Sequence, residues 1–76
     1  MKDKYTYVDM PLGERVKQVR ESKGISQRKL ATAIFVDASA LCYWEQGKRN
    51  ISVQSLCDIA DALEVSLDEL VGRSRR

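Results

Sequence analysis

A chain of 76 residues and 8.6 kDa has room for one domain, which at this size buries only about 60% of the surface its unfolded form exposes. With 43% hydrophobic and 32% charged residues, no apolar run near the ~18 residues of a membrane span and no signal-peptide core after Met1, it reads as a folded cytoplasmic globule. It contains no His, which removes Ser-His-Asp triads, Cys-His dyads and His-bearing metal sites, and its two cysteines, Cys42 and Cys57, form no CxxC pair and cannot hold zinc alone.

Residues 1–10 are an N-terminal arm without assigned structure, because the Tyr5/Tyr7 alternation is too short to predict a strand. Helix 1 is predicted over about 11–23, with Pro11 in its first turn, Leu12, Val16 and Val19 at helical spacing and Gly24 as its stop. Ser26 is placed to cap a short second helix with Leu30, Ala31 and Ile34 inward, and Phe35-Val36-Asp37 breaks the period. Asp37 is the cap expected for helix 3, about 38–46, in which Leu41 and Trp44 face inward and Gly47 ends the run. Lys48-Arg49-Asn50 is a polar loop. Ser52 is the cap expected for a fourth helix carrying Leu56, Ile59, Ala60 and Leu63 at i, i+3, i+4, i+7. Ser66-Leu67-Asp68-Glu69 has the form of a capping box and opens a short fifth helix with Leu67, Leu70 and Val71, stopped by Gly72. Residues 73–76 form a basic tail. The expectation is an all-α, compact five-helix domain over 11–72, with a single core to which Ile51, Val65 and Val36 also contribute.

Charge is unevenly spread. Residues 1–49 hold ten Lys/Arg against six Asp/Glu, residues 50–71 hold five acids and no cation, and Arg73, Arg75 and Arg76 follow. A basic front and an acidic back suit a polyanion at one face, although small helical domains also segregate charge by chance. From Ile25 to Asn50, two short helices start about eleven residues apart across a tight break, the spacing of a helix-turn-helix. A second helix of this length fits a major groove about 12 Å wide. Helix 2 opens with Gln27-Arg28-Lys29, and cations there oppose the macrodipole by ~0.3–1 kcal/mol. Either Arg28 and Lys29 contact a phosphate, as free N–H groups at a helix start favour, or they are solvated at a tolerated cost. Lys48 and Arg49 would flank the same phosphate backbone from the far end of helix 3.

From Leu12 to about Gly72 the chain resembles the Cro/phage-repressor (Xre) type of helix-turn-helix protein. The likeness rests on LGERVKQVRESKGISQRKLA, on YWEQGKRN and on LCDIADALEVSLDELVG, in that order and at that spacing. The resemblance implies that Gln27 grips a DNA phosphate and orients the reading side chains. It implies that Arg20 and Glu45 form an ion pair tying helix 1 to the end of helix 3, the competing account being two solvated charges. Ala38, Ser39 and Tyr43 fall on the base-reading positions, with Asp37 and Cys42 nearby, and Lys48, Arg49 and Asn50 match the loop that meets the DNA backbone. Trp44 falls on a core position.

Two departures stand out. Phe35 occupies the turn where the family usually has Gly, so the turn has another geometry, the residue is strained, the ring is an exposed contact for a partner, or it tucks onto helix 1 or 4. The reading helix, ASALCYWEQ, has no Arg, Lys or Asn, and its Gln46 lies at the far end, so the side chains that contact guanine and adenine bidentately are missing. Specificity would then lean on DNA shape, paired half-sites or the arms, where Lys2, Lys4 and the Arg73–Arg76 tail either meet phosphate or stay solvated. Cys57 reads as a small hydrophobe and Cys42 as an exposed thiol with a remote claim to redox chemistry.

The expected function is a sequence-specific DNA-binding transcriptional regulator, in the sense of a repressor, inserting helix 3 into the major groove of double-stranded DNA as a homodimer on a palindromic operator. The alternative is a helix-turn-helix module used mainly for protein–protein interaction, such as an antitoxin or adaptor. No enzyme activity, cofactor, metal, membrane or small-molecule substrate is expected.

Overall fold

The computed structural model describes residues 5–7 and 10–75. Their order is β1 (Tyr5–Tyr7), α1 (Leu12–Ser22), α2 (Gln27–Ala33), α3 (Ala38–Glu45), α4 (Val53–Leu63), α5 (Leu67–Val71) and β2 (Arg73–Arg75). Lys2, Lys4 and Arg76 lie outside the described residues.

Three helices start at serines for the same reason. The hydroxyl oxygens of Ser26, Ser52 and Ser66 accept the otherwise orphaned N–H groups of Lys29, Ser55 and Glu69, each cap contributing roughly 1 kcal/mol. At Ser66 the box is complete, since Glu69 reaches back to the Ser66 N–H. Two expected starts differ in detail. Pro11 is the N-cap of α1 and lies outside its first turn: its φ of −55° and ψ of 144° are extended, and its carbonyl accepts the first helical bond from Arg15. Asp37 occupies the N-cap position of α3, but its carboxylate accepts no capping bond.

Helix ends follow glycine at 24, 47 and 72, with φ between 70° and 76°. Two ends use other residues in the left-handed region: Glu64 closes α4 at φ 57°, and Phe35 closes the turn after α2 at φ 61°. The Phe35 ring is 95% exposed, so the turn keeps the positive φ that Gly usually supplies, and the ring packs on neither α1 nor α4. An aromatic residue held there costs about 1–2 kcal/mol of backbone strain, against the extra unfolded-state freedom of Gly of about 0.5–1 kcal/mol. Phe35→Gly is therefore expected to raise the unfolding free energy by about 1 kcal/mol, read as a higher urea midpoint at unchanged m-value. A lower midpoint would mean the ring is packed in solution.

The core is one cluster: Val16, Val19, Leu30, Ala31, Ile34, Leu41, Ile59, Ala60, Leu63 and Leu70, with Ile25, Val36, Trp44, Ile51, Leu56 and Val65 packed around it. Leu67, expected inside, is 42% exposed because it sits in the first turn of α5, where the short helix turns its outer face to water. Gly13 is buried where α1 crosses the end of α3. Arg15 on α1 donates from Nη2 to the Glu69 carbonyl at 2.6 Å and so fastens α1 to α5.

Beside the helices, β1 and β2 pair antiparallel, with Tyr5 opposite Arg75, Thr6 opposite Ser74 and Tyr7 opposite Arg73. The all-α body thus carries a short ribbon joining segments that the sequence left as an unassigned arm and a tail. Strands of three residues show no usable periodicity, and this pair has no local turn to announce it. Arg73 also holds Asp68 at 2.7 Å, linking the ribbon to α5.

Candidate nucleic-acid interface

Glu45, the last residue of α3, organises the helix-turn-helix. A carboxylate at a helix C-terminus is disfavoured by the macrodipole, and no cation from α3 itself offsets it. The offset comes from α1. Arg20 donates from Nε to Glu45 Oε2 at 2.8 Å and from Nη2 to Oε1 at 3.1 Å. Both side chains are buried, 8% and 2% exposed. Arg20 Nη1 donates to the Ile25 carbonyl at 2.7 Å, so the same guanidinium also holds the segment leading into α2. Hydrogen bonding to Glu45 first, and then the Glu45 and Glu21 charges, hold the guanidinium above its usual pKa against the opposing effect of burial.

Gln27, the first residue of α2, completes the arrangement. Its Nε2 donates to Glu45 Oε1 at 2.8 Å. One amide proton is thereby committed, which fixes the side-chain plane; the second N–H of the same group and the carbonyl oxygen retain capacity for other partners. One carboxylate therefore ties together α1, the head of α2 and the end of α3. Nothing in the periodicity of the chain pointed to the Gln27–Glu45 bond, because the two residues lie on different helices.

Arg28 and Lys29 are exposed on the first turn of α2, which contains no acid. Ser26 Oγ takes the Lys29 N–H, so fewer amide donors remain free at this helix start than the bare sequence implies. Ala38 and Ser39 are exposed on the first turn of α3, beside the uncapped and exposed Asp37. Tyr43, 40% exposed, lies further along α3. Over its ring sit Arg49, 5.2 Å from the centroid, and Lys48, 6.0 Å away. Cations at this range over an exposed ring gain about 0.5–1 kcal/mol, which tethers the loop after α3 to the helix. Asn50 is exposed in the same loop, and Cys42 is half-buried, accepting a bond from Gln46 Nε2 at 3.2 Å. The fold thus gathers Tyr43, Lys48 and Arg49 in one cluster. Among the described residues, no hydrogen bond, salt bridge or cation–π contact joins them to Arg28 or Lys29.

Gly13 is the element that residue-type reasoning passed over. A Cβ there would run into the Trp44 carbonyl oxygen and lie 3.0 Å from that of Glu45. Its signal was available: a glycine inside a helical pattern, where any other residue would strengthen the helix, marks a close backbone approach. Among the described residues no helix is long and apolar enough to cross a membrane, and no group of three or more His, Cys, Asp or Glu residues could hold a metal ion.

A family model described as helix-turn-helix matches residues 16–70. The HTH-type transcriptional activator BcrR of Enterococcus faecalis is 34% identical over 62 residues, which is 82% of this chain and 30% of that protein. The cryptic phage CTXphi transcriptional repressor RstR of Vibrio cholerae is 34% identical over 64 residues, 84% of this chain and 57% of that one. The chain thus spans little more than half the length of RstR and under a third of BcrR. Among solved structures, SinR, a master regulator for biofilm formation in complex with DNA, superposes with a TM-score of 0.72 at 37% identity, over 78% of this chain and 95% of that one.

Proposed function

The chain belongs to the helix-turn-helix family, in its Cro/phage-repressor (Xre) branch, and from that premise we propose that it is a sequence-specific DNA-binding transcriptional regulator that represses by occupying its operator. Helix α3 enters the major groove, Ala38, Ser39 and Tyr43 face the base edges, and Gln27, Arg28, Lys29, Lys48, Arg49 and Asn50 meet the flanking phosphates. The observation that carries this reading is the Glu45 junction. It holds the head of α2 at a set angle to α3, which a helix-turn-helix needs if one helix is to grip the backbone while the other reads the groove. Exposed cations at both ends of the motif supply the electrostatic part.

A single domain of this kind covers only about 600–1,000 Å² of its own surface on DNA, so useful affinity calls for a homodimer on a palindrome, with half-sites about 34–36 Å apart. The α5 side of the α4–α5 end, where the half-exposed Leu67 lies and where Arg73 offsets Asp68, is the surface we assign to pairing.

Selection from a random duplex pool, followed by salt titration on the winner and on the unselected pool, tests the reading. A palindromic consensus bound well above the pool is expected. Gln27→Ala should weaken binding to every sequence about tenfold and leave the salt slope unchanged, since the side chain is neutral. Arg28→Ala should lower that slope by about one. Ser39→Ala should alter preference at one base position. No enrichment, and no effect of these changes, would favour the second reading, a helix-turn-helix used for protein–protein interaction. That reading draws on the absence of Arg, Lys and Asn from α3.

A further inference from the structure

Phe35 combines two unfavourable features, and the fold does not require an aromatic side chain at this turn. Its backbone is in the left-handed region, and its ring is more exposed than any other large apolar side chain among the described residues. Phe35 lines an open cleft of about 380 Å³ between the end of α2 and the outer face of α4, together with Ala33, Ile34, Asp58, Asp61 and Ala62. Ile34 is buried and Ala62 half-buried, so the floor is apolar. The rim is acidic. Asp61 is exposed, and Asp58 accepts only a neutral bond, from Gln54 Nε2 at 3.0 Å. Among the described residues no Lys or Arg pairs with either carboxylate.

An apolar floor, an exposed aromatic ring and two carboxylates without a countercharge specify their complement: a large apolar side chain flanked by cations. We propose that this cleft docks a basic segment of a partner protein, with an apolar residue seated against Phe35 and Lys or Arg facing Asp58 and Asp61. Nucleic acid is disfavoured by the same carboxylates. A symmetric contact between two copies of the chain would set Asp58 and Asp61 against their own counterparts, and like charges at an interface oppose that pairing. The cleft is separate from the α3 surface assigned to DNA, so the inference stands whether or not that assignment does.

The test selects a displayed library of random dodecapeptides on the immobilised full chain. Titration of the winning peptides follows. The expected peptides carry a large apolar residue between Lys or Arg residues. They should shift the amide resonances of residues 33–35 and 58–62, bind more weakly as salt rises, and lose about tenfold or more in affinity to Phe35→Gly. That variant suits the backbone at φ 61° and is the one expected above to raise stability. The Asp58→Asn, Asp61→Asn double variant, which preserves size, should lose as much. Enrichment of no motif or of acidic peptides, or equal binding to the variants, would overturn the proposal. So would loss of self-association in Phe35→Gly, which would make a second copy the occupant, or loss of duplex binding, which would place the ring at DNA.

Discussion

Glu45→Ala is expected to lower the unfolding free energy by about 3–5 kcal/mol. The loss comes less from the missing attraction than from what remains. Arg20, with only 8% of its side chain exposed, would keep a full charge and lose both bonds to its counterion while its Nη1 stays tied to the Ile25 carbonyl. Gln27 would lose its partner as well. A domain of this size has a total stability of roughly 4–11 kcal/mol, so the variant would sit at the edge of unfolding. Urea denaturation with linear extrapolation measures this directly. A loss under about 1 kcal/mol would show the pair behaving as an exposed one. Replacing both partners by apolar residues, as in Arg20→Met with Glu45→Leu, should cost less than Glu45→Ala alone, because no orphaned charge is left. That double variant would also separate stability from recognition: it can be well folded, yet Gln27 has nothing to orient it.

Gly13→Ala should destabilise by about 3 kcal/mol or more, although intrinsic propensity favours Ala over Gly in a helix by about 1 kcal/mol. The two considerations disagree in sign, so the experiment is decisive. The added methyl would meet the backbone carbonyls of Trp44 and Glu45, which have no rotamer with which to move aside. The helix itself would have to lift from α3. Because Arg20 reaches Glu45 across the same α1–α3 contact, lifting one end would also stretch the ion pair, and the effects of Gly13→Ala and Glu45→Ala should fall short of additivity. A thermal scan reads the single variant as a fall in Tm of about 4–8 °C per kcal/mol. An unchanged or higher Tm would mean α1 and α3 are not in close backbone contact in solution.

Much of the helical body could be read from the chain because its punctuation is chemical and local. A serine at 26, 52 or 66 has a hydroxyl placed for the N–H three residues on, and a glycine at 24, 47 or 72 takes a positive φ without steric cost. Where the deciding interaction was not local, the reading thinned. Asp37 is of a capping type and stands at the right position, yet side-chain identity does not determine whether the cap bond forms. Leu67 fits an inward period that five residues of helix are too short to enforce. At Phe35, composition left four outcomes open, and the backbone angle together with the exposed ring selects strain and exposure. In the candidate interface, periodicity says which face a residue occupies but not what it touches. The grouping of Arg20, Gln27 and Glu45 around one carboxylate, and of Arg49 with Lys48 over Tyr43, needed the three-dimensional packing.

The ribbon between residues 5–7 and 73–75 bears on the order in which the molecule assembles. Every helix-to-helix connection in the body is short and closes at small entropic cost, whereas pairing Tyr7 with Arg73 in an unfolded chain would close a loop of almost the whole domain for a few backbone bonds. Once the helices have packed, that cost has largely been met, because the core already brings the two segments together. The ribbon is thus expected to form last and to open first. Its amides should exchange with solvent through local fraying, while those around Leu41 and Ile59 at the centre of the core wait for global unfolding.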